Sequence, residues 1–183
     1  IENVGGYTVV TNYITSASNR QIFLKRLMDI CGGIVGCLIT LILFLFVAPA
    51  IYIKSPGPIF FSQIRVGKNG KKFRIYKFRN MDAEERKKEL MKQNKVKDGM
   101  MFKMDHDPRI IKGVGNFIRK TSIDEFPQFF NVLKGDMSLV GTRPPTVDEW
   151  EKYNKHHRRR MAIKPGLTGM WQISGRSSIT DFD

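Results

Sequence analysis

Residues 30–53 read ICGGIVGCLITLILFLFVAPAIYI, and no charged side chain interrupts them. Crossing the apolar core of a bilayer takes roughly 20 such residues, so the stretch is long enough to enter a membrane as a helix. A secretory signal fits poorly, because structured-looking sequence precedes it and no small-residue cleavage site follows. Crossing is a separate matter from insertion. Lys25 and Arg26 stand before the run, and Lys54, Arg65, Lys68, Lys71 and Lys72 follow it. Basic residues favour the cytoplasmic side, and here they flank both ends. Pro49, preceded by Ala48, removes a backbone hydrogen bond near the end of the run and favours a bend. Two readings are open: a kinked transmembrane helix, or a helix that dips into the bilayer and returns to the same face.

Outward from this segment, Ser55-Pro-Gly-Pro58 breaks the helix. Two strand-like runs, Ile59–Val66 and Phe73–Phe78, are joined by Gly67-Lys-Asn-Gly70 and predict a hairpin. Residues 83–97 are strongly helical by propensity and poor in apolar residues, which predicts a surface helix. Helical stretches are expected over Gly113–Lys120 and Glu125–Leu133, then short extended pieces between Gly and Pro turns. The order specifies an α+β fold: a membrane helix over about residues 27–53, then a small irregular globular domain with a β-hairpin and short helices. Residues 1–20 differ in character, and Ile1–Val10 reads as a turn and strand. A chain that opens on Ile1 and stops at Asp183 inside a polar run is expected to be a piece of a longer protein.

Thirty-one Lys and Arg against seventeen Asp and Glu leave a formal charge of +14. That excess points to an anionic partner: nucleic acid, an acidic membrane surface or a phosphorylated substrate. Cys31 and Cys37, the only cysteines, are read as small buried thiols, without the spacing of a zinc site. The sequence contains no Walker loop, dinucleotide fingerprint or serine nucleophile elbow.

Three strings carry candidate chemistry. In Thr121-Ser-Ile-Asp-Glu-Phe-Pro-Gln128, Ser122 and Glu125 match a capping box, and Asp124 is a second candidate cap. In either register Asp124 and Glu125 lie at the positive end of a helix, just after Arg119 and Lys120. That setting lowers a carboxylate's pKa and suits a nucleophile or metal ligand. In Lys134-Gly-Asp-Met-Ser-Leu-Val-Gly-Thr-Arg-Pro-Pro145, a strand over Ser138–Val140 ends in a turn that presents Arg143. Its guanidinium suits the grip of a phosphate, although an exposed strand-end arginine is an equal reading. Lys164-Pro-Gly-Leu-Thr-Gly169, followed by Trp171, Gln172 and Arg176, suits a nucleotide or tight turns around a core Trp. Lys77 and Arg79 add cations at a strand end. His156-His157-Arg158-Arg159-Arg160 reads as an exposed polybasic patch facing anionic headgroups.

Taken together, these strings resemble the bacterial sugar transferase family, the monotopic phosphoglycosyl transferases. The residues that carry the match are Lys25-Arg26 with Asp29, Ala48-Pro49, Gly57-Pro58, Gln63, Arg65 and Lys77-Phe-Arg79. It continues through Asp107-Pro108-Arg109, Asp124-Glu125-x-Pro-Gln128, Leu133–Ser138, Lys164–Gly169, Gln172 and Gly175-Arg176. The resemblance implies transfer of a sugar 1-phosphate from a UDP-sugar to undecaprenyl phosphate with Mg²⁺, in capsule or exopolysaccharide synthesis. It implies Asp124 as the nucleophile of a phosphosugar–enzyme intermediate, with Glu125 as metal ligand or base and the dyad carboxylates holding the metal. Arg143, Arg119 and Arg176, with Lys77, Arg79 and Gln172, are then expected to hold phosphate and nucleotide. The anchor becomes a re-entrant helix bent at Ala48-Pro49 and flanked by Lys25-Arg26, in the bacterial cell membrane with the catalytic domain on the cytoplasmic face. Thr142 stands where most members have Pro, as in a branch that uses glucose or galactose. Residues 1–20 would be the tail of an upstream regulatory domain or a linker, and 21–183 the catalytic domain, with a further helix expected beyond Asp183. Homo-oligomerisation is left open. Two rivals are a membrane-anchored nucleic-acid binder and an inactive scaffold of polysaccharide assembly; the first leaves the dyad without purpose, so nucleic acid is not expected as a partner.

Overall fold

The computed structural model describes residues 2–4, 7–9, 17–81 and 110–169. Strands β1 (Glu2–Val4) and β2 (Tyr7–Val9) form a small antiparallel pair. Helix α1 (Asn19–Lys54) follows. It starts well before the predicted residue 27 because Ser18 caps it: its hydroxyl accepts from Gln21 N and its N–H donates to Gln21 Oε1. The helix is continuous through Pro49, whose missing N–H leaves the Leu45 carbonyl without its helical donor. It ends at the Ser55-Pro-Gly-Pro58 breaker, as expected.

Only 22% of the most apolar stretch of α1 is buried against the rest of the chain. The core helix of a soluble protein would be mostly covered, so the exposed Leu38, Leu41, Ile42, Leu45 and Phe46 call for an apolar surrounding. Cys31 is exposed and Cys37 half-buried. The expectation of buried thiols is therefore corrected: an apolar run on a membrane helix need not turn inward.

Both ends of α1 nevertheless contact one folded unit. Near its start, Arg26 donates to the carbonyls of Val132 (2.8 Å) and Leu133 (2.7 Å). Lys25 donates to Asp29 (2.9 Å), whose buried carboxylate also accepts from Ser138 Oγ and Leu139 N. Near its end, Val47 and Ile51 join Phe78, Ile111 and Ile118 in the main core.

Strands β3 (Phe60–Val66) and β4 (Lys72–Phe78) form the predicted hairpin, in antiparallel register from Phe60↔Phe78 to Val66↔Lys72. The turn is a 3-10 helix, Lys68–Gly70, with Asn69 at φ 56° and Gly70 at φ 82°. Cross-strand partners share a face. Phe60, Ser62, Tyr76 and Phe78 lie on one face; Phe61, Gln63, Arg65, Ile75 and Lys77 lie on the other.

Helix α2 (Val114–Lys120), the 3-10 helix Ile123–Gln128 and helix α3 (Phe129–Lys134) come next. Asn131, fully buried, closes the outer edge of β4: its amide donates to Arg74 O (2.7 Å) and accepts from Tyr76 N (3.3 Å). Strand β5 (Ser138–Val140) pairs in parallel with β6 (Gly166–Thr168). Between them lie helices α4 (Val147–Glu151) and α5 (Lys155–Arg159) and a 3-10 turn, Arg160–Ala162. Gly141 and Gly166 let the two backbones meet, since a Cβ on Gly166 would stand 2.0 Å from Gly141 N. In α5, His157 is buried against Tyr153, and the Arg158 guanidinium lies 5.1 Å from the Trp150 ring. That corrects the reading of 156–160 as wholly exposed: His157 turns inward, while Arg158 and Arg159 stay exposed and Arg160 is half-buried. The expected surface helix over 83–97 lies outside the described residues.

Candidate active site

Asp124 and Glu125 occupy the first turn of the 3-10 helix, and Pro127 sits within it. The missing N–H of Pro127 leaves the Asp124 carbonyl without the i+3 donor of a 3-10 turn. The predicted capping box does not form. Ser122 holds the N-cap position in the left-handed region (φ 59°) and makes no side-chain cap. A non-glycine residue in that region stores strain of about 1 kcal/mol, a cost often found at functional sites.

Lys77 reaches this turn from β4. Its ammonium stands 2.9 Å from Glu125 Oε1 and 3.9 Å from Asp124 Oδ2. Asn80 Nδ2 donates to Asp124 Oδ2 at 3.0 Å. Asp124 is 6% exposed, and this burial raises its pKa. The Lys77 charge pulls it back down, Glu125 pushes it up, and Arg119 lowers it; the net result is upward. The expectation that the helix start would hold Asp124 below its ordinary value is corrected, because desolvation wins over the short 3-10 turn. Arg119 thus acts on Asp124 through its charge from the end of α2.

A polar cavity of about 100 Å³ opens beside the dyad. Lys77, Glu125 and Gln128 line one wall, and Arg65, Arg143 and Pro144 line the other. Arg143 therefore comes to the site as predicted, but its guanidinium is already held. It donates from both terminal nitrogens to Glu149, at 3.0 and 3.2 Å. Glu149 also accepts from Thr146 N (2.8 Å), in a capping box with Thr146, and Arg65 Nη1 lies 3.8 Å from it. Burial would raise the pKa of Glu149; the Arg143 charge and bonds, Thr146 N and Arg65 outweigh it and hold the carboxyl below its usual range. Each terminal guanidinium nitrogen carries a second N–H, so the fork retains donors for an anion.

Arg79 goes elsewhere. It donates to Ser55 O and its N–H bonds Ile59 O, so it braces the segment after α1 instead of lining the cavity. Lys25 and Arg26, expected as flanking anchor charges, are bound to Asp29 of α1 and to the carbonyls of Val132 and Leu133. Gln172 and Arg176, with Trp171, Gly175 and the Asp107-Pro108-Arg109 string, lie outside the described residues. The sequence reading missed Glu149, Asn80 and Gln128 as site residues. The Thr-x-x-Glu spacing of Thr146 and Glu149 was a visible signal, but it announces a cap and says nothing of the arginines that converge on it.

Among the described residues no group of three or more His, Cys, Asp or Glu side chains stands close enough to hold a metal by itself. Mg²⁺ needs less. It takes one or two protein carboxylates and completes its shell with waters and substrate phosphates. Asp124 and Glu125, with Glu125 opening onto the polar cavity, fit that requirement.

Three proteins with curated descriptions show what the chain is similar to. It is 57% identical over its full length to a galactosyl transferase, CpsE, of Streptococcus agalactiae. It is 43% identical over 95% of its length to an undecaprenyl-phosphate galactose phosphotransferase of Salmonella typhimurium. It is 40% identical over 99% of its length to a UDP-glucose:undecaprenyl-phosphate glucose-1-phosphate transferase of Escherichia coli. The chain spans 40%, 37% and 37% of the lengths of these three relatives. The family profile described as bacterial sugar transferase matches residues 20–183. With that match and these identities, the chain belongs to the bacterial sugar transferase family.

Proposed function

We propose that the protein transfers a hexose 1-phosphate from a UDP-sugar to undecaprenyl phosphate, the first membrane step of capsule or exopolysaccharide assembly. The observation that carries this reading is the buried Asp124, set beside Lys77 and a cationic cavity and joined to a largely uncovered apolar helix. The relatives' names, which include galactose and glucose transfer to undecaprenyl phosphate, support the substrate class.

The polar cavity receives the diphosphate of the donor. Lys77, Arg65 and the Glu149-held fork of Arg143 face its charge, with Arg119 near Asp124. Asp124 is the nucleophile: its carboxylate oxygen bonds to the phosphorus that carries the sugar, and the bond to the UMP oxygen breaks. Burial removes most water from that carboxylate, which strengthens its interaction with the cations around it. An oxygen of undecaprenyl phosphate then bonds to the same phosphorus, and Asp124 is released as a carboxylate. When bound by Asp124 and Glu125, Mg²⁺ supplies further neutralisation of the diphosphate. Charge stabilisation and alignment account for most of the catalysis of phosphoryl transfer, and the side chains here are of that kind.

The membrane reading follows from α1. A helix that crossed the bilayer would leave one of its ends far from a domain on one face. Contacts of Arg26 and of Ile51 with the same unit favour a helix that enters and returns on the cytoplasmic side.

The test is UMP release from UDP-glucose and UDP-galactose by the full-length protein, with undecaprenyl phosphate and Mg²⁺ in detergent, beside its Asp124→Asn variant. Release by the parent and loss in the variant is the expected result. Release that persists in Asp124→Asn would remove Asp124 as the nucleophile.

A further inference from the structure

A second cavity, of about 450 Å³, lies between α1 and the turn that carries the dyad. Its wall is built from Cys37, Thr40, Leu41 and Phe44 of α1, with Phe60, Tyr76, Pro127 and Phe130 from the domain. The size falls within the roughly 300–1,000 Å³ of small-molecule sites and exceeds the voids that close-packed cores leave. The lining is almost wholly apolar. Thr40, the hydroxyl residue from the helix, turns its oxygen to backbone: Oγ1 donates to Gly36 O (2.6 Å) and lies 3.1 Å from Phe126 O. Rings brace the walls, with Phe44 stacked on Phe60 at 5.5 Å and Tyr76 edge-on to Phe130 at 5.9 Å.

The position of this cavity follows from the winding of the 3-10 helix. At three residues per turn, positions i and i+3 eclipse, about 6 Å apart along the axis. Glu125 and Gln128 form one such pair, and both line the polar cavity. Asp124 and Pro127 form the next, and Pro127 lines the apolar one. The hairpin sorts in the same way, with Lys77 on the polar side and Tyr76 on the apolar side. The turn that carries Asp124 thus lies between the two cavities, where a water-soluble substrate and an apolar one would meet. The rim residues Leu41 and Phe130 are 64% and 54% exposed, so the cavity opens on the surface that α1 leaves uncovered.

The geometry points to this cavity as the subsite for the phosphate-proximal isoprene units of the acceptor lipid, holding its phosphate against Asp124. The inference rests on the transferase reading above and adds the place where the acceptor binds. An isoprenoid chain matches the site in polarity: it is branched, apolar and without hydrogen-bonding groups, and the π faces of four aromatic side chains complement it.

The experiment uses the full-length enzyme in nanodiscs and compares wild type with Cys37→Phe, which fills the cavity. Leu41→Trp, at the exposed rim where folding is little at risk, is the second variant. Leu45→Trp, exposed on α1 but outside the cavity, is the control. UMP release without acceptor reads the donor step separately. The expected result is an acceptor KM raised about tenfold in Cys37→Phe and Leu41→Trp, the loss of apolar contact equivalent to about two methylene groups, part of one isoprene unit. The KM for the UDP-sugar should stay at the wild-type value, and Leu45→Trp should change neither. Unchanged acceptor KM in both filling variants, with donor turnover intact, overturns the subsite. A diazirine-bearing undecaprenyl phosphate gives a readout independent of catalysis. Cross-links at Cys37, Thr40, Leu41, Phe44 or Phe130 support the site even if UMP release fails, and cross-links confined to Leu38 and Leu45 overturn it.

Discussion

Gly36 sits where α1 passes closest to α3, and Gly36→Ala tests whether that approach sets the active site. A Cβ built on Gly36 would lie 2.1 Å from Cδ1 and Cγ of Phe129, whereas ordinary contact begins at 3.4 Å. The ring must therefore retreat by about 1.3 Å, or the helices must part, an overpacking of a kind that typically costs about 1–3 kcal/mol. For a domain of this size that corresponds to a melting point lowered by roughly 3–10 °C. Activity should suffer as well. Phe129 packs on Phe126 at 5.6 Å between ring centres, and Phe126 belongs to the 3-10 helix that carries Asp124 and Glu125. Misplacing a reacting group by 1 Å can cost on the order of 10²-fold, so UMP release should fall at least about tenfold. The assay is a double-mutant cycle of Gly36→Ala and Phe129→Ala, read by melting and by UMP release. If the clash is the cause, Gly36→Ala costs little in the Phe129→Ala background and the effects are not additive. Wild-type stability and activity in Gly36→Ala, or an equal cost in both backgrounds, would refute the reasoning.

Asp124→Asn should melt above wild type at pH 7–8 while losing UMP release. The folded-state pKa of Asp124 is raised, so its protonated form favours the fold, and that advantage is lost as pH rises through the raised value. The melting difference should shrink towards zero as pH falls below the ordinary carboxylate value of about 3.9. Lys77→Met removes a charge that lowers the Asp124 pKa; the acid limb of kcat/KM should move to higher pH, and an unmoved limb would disconnect Lys77 from the nucleophile. Glu149→Gln breaks a buried pair with Arg143 but keeps an acceptor for Thr146 N. A loss of about 2–3 kcal/mol in melting is expected, below the 3–5 typical of a broken buried pair, with a raised KM for the UDP-sugar. Unchanged KM would show that the Arg143 fork does not depend on Glu149.

The hairpin was legible because its signals are local. Alternation over Ile59–Val66 and Phe73–Phe78 and a turn with two glycines specify strand, turn and register within twenty residues. The short strand at Ser138–Val140 and the helix break at Ser55 were legible for the same reason. The helix winding at the dyad was not. Ser122-x-x-Glu125 is a good local match to a capping box, yet in the folded chain the turn winds as a 3-10 helix with Ser122 left-handed and Asp124 bonded to Asn80. Arg79 and Arg143 looked alike as exposed-strand cations, and nothing in their neighbours along the chain separates the one bound to Ser55 O from the one bound to Glu149.

The sequence by itself determined that an uncharged apolar helix precedes an α+β domain, and that Asp124 and Glu125 are the acids to watch. Hydrophobic length, turn residues and charge are properties of neighbours along the chain. Only the tertiary structure decided that Gly33 and Gly36 carry α1 onto Leu133 and Phe129, that Lys77 stands between the two carboxylates, and that burial raises Asp124. It also decided that the turn sends Glu125 and Gln128 to a polar cavity and Pro127 to an apolar one. Those outcomes depend on residues brought together from Cys37, Tyr76, Asp124 and Arg143, and distance through space, which sets desolvation and Coulomb energy, is not written in distance along the chain.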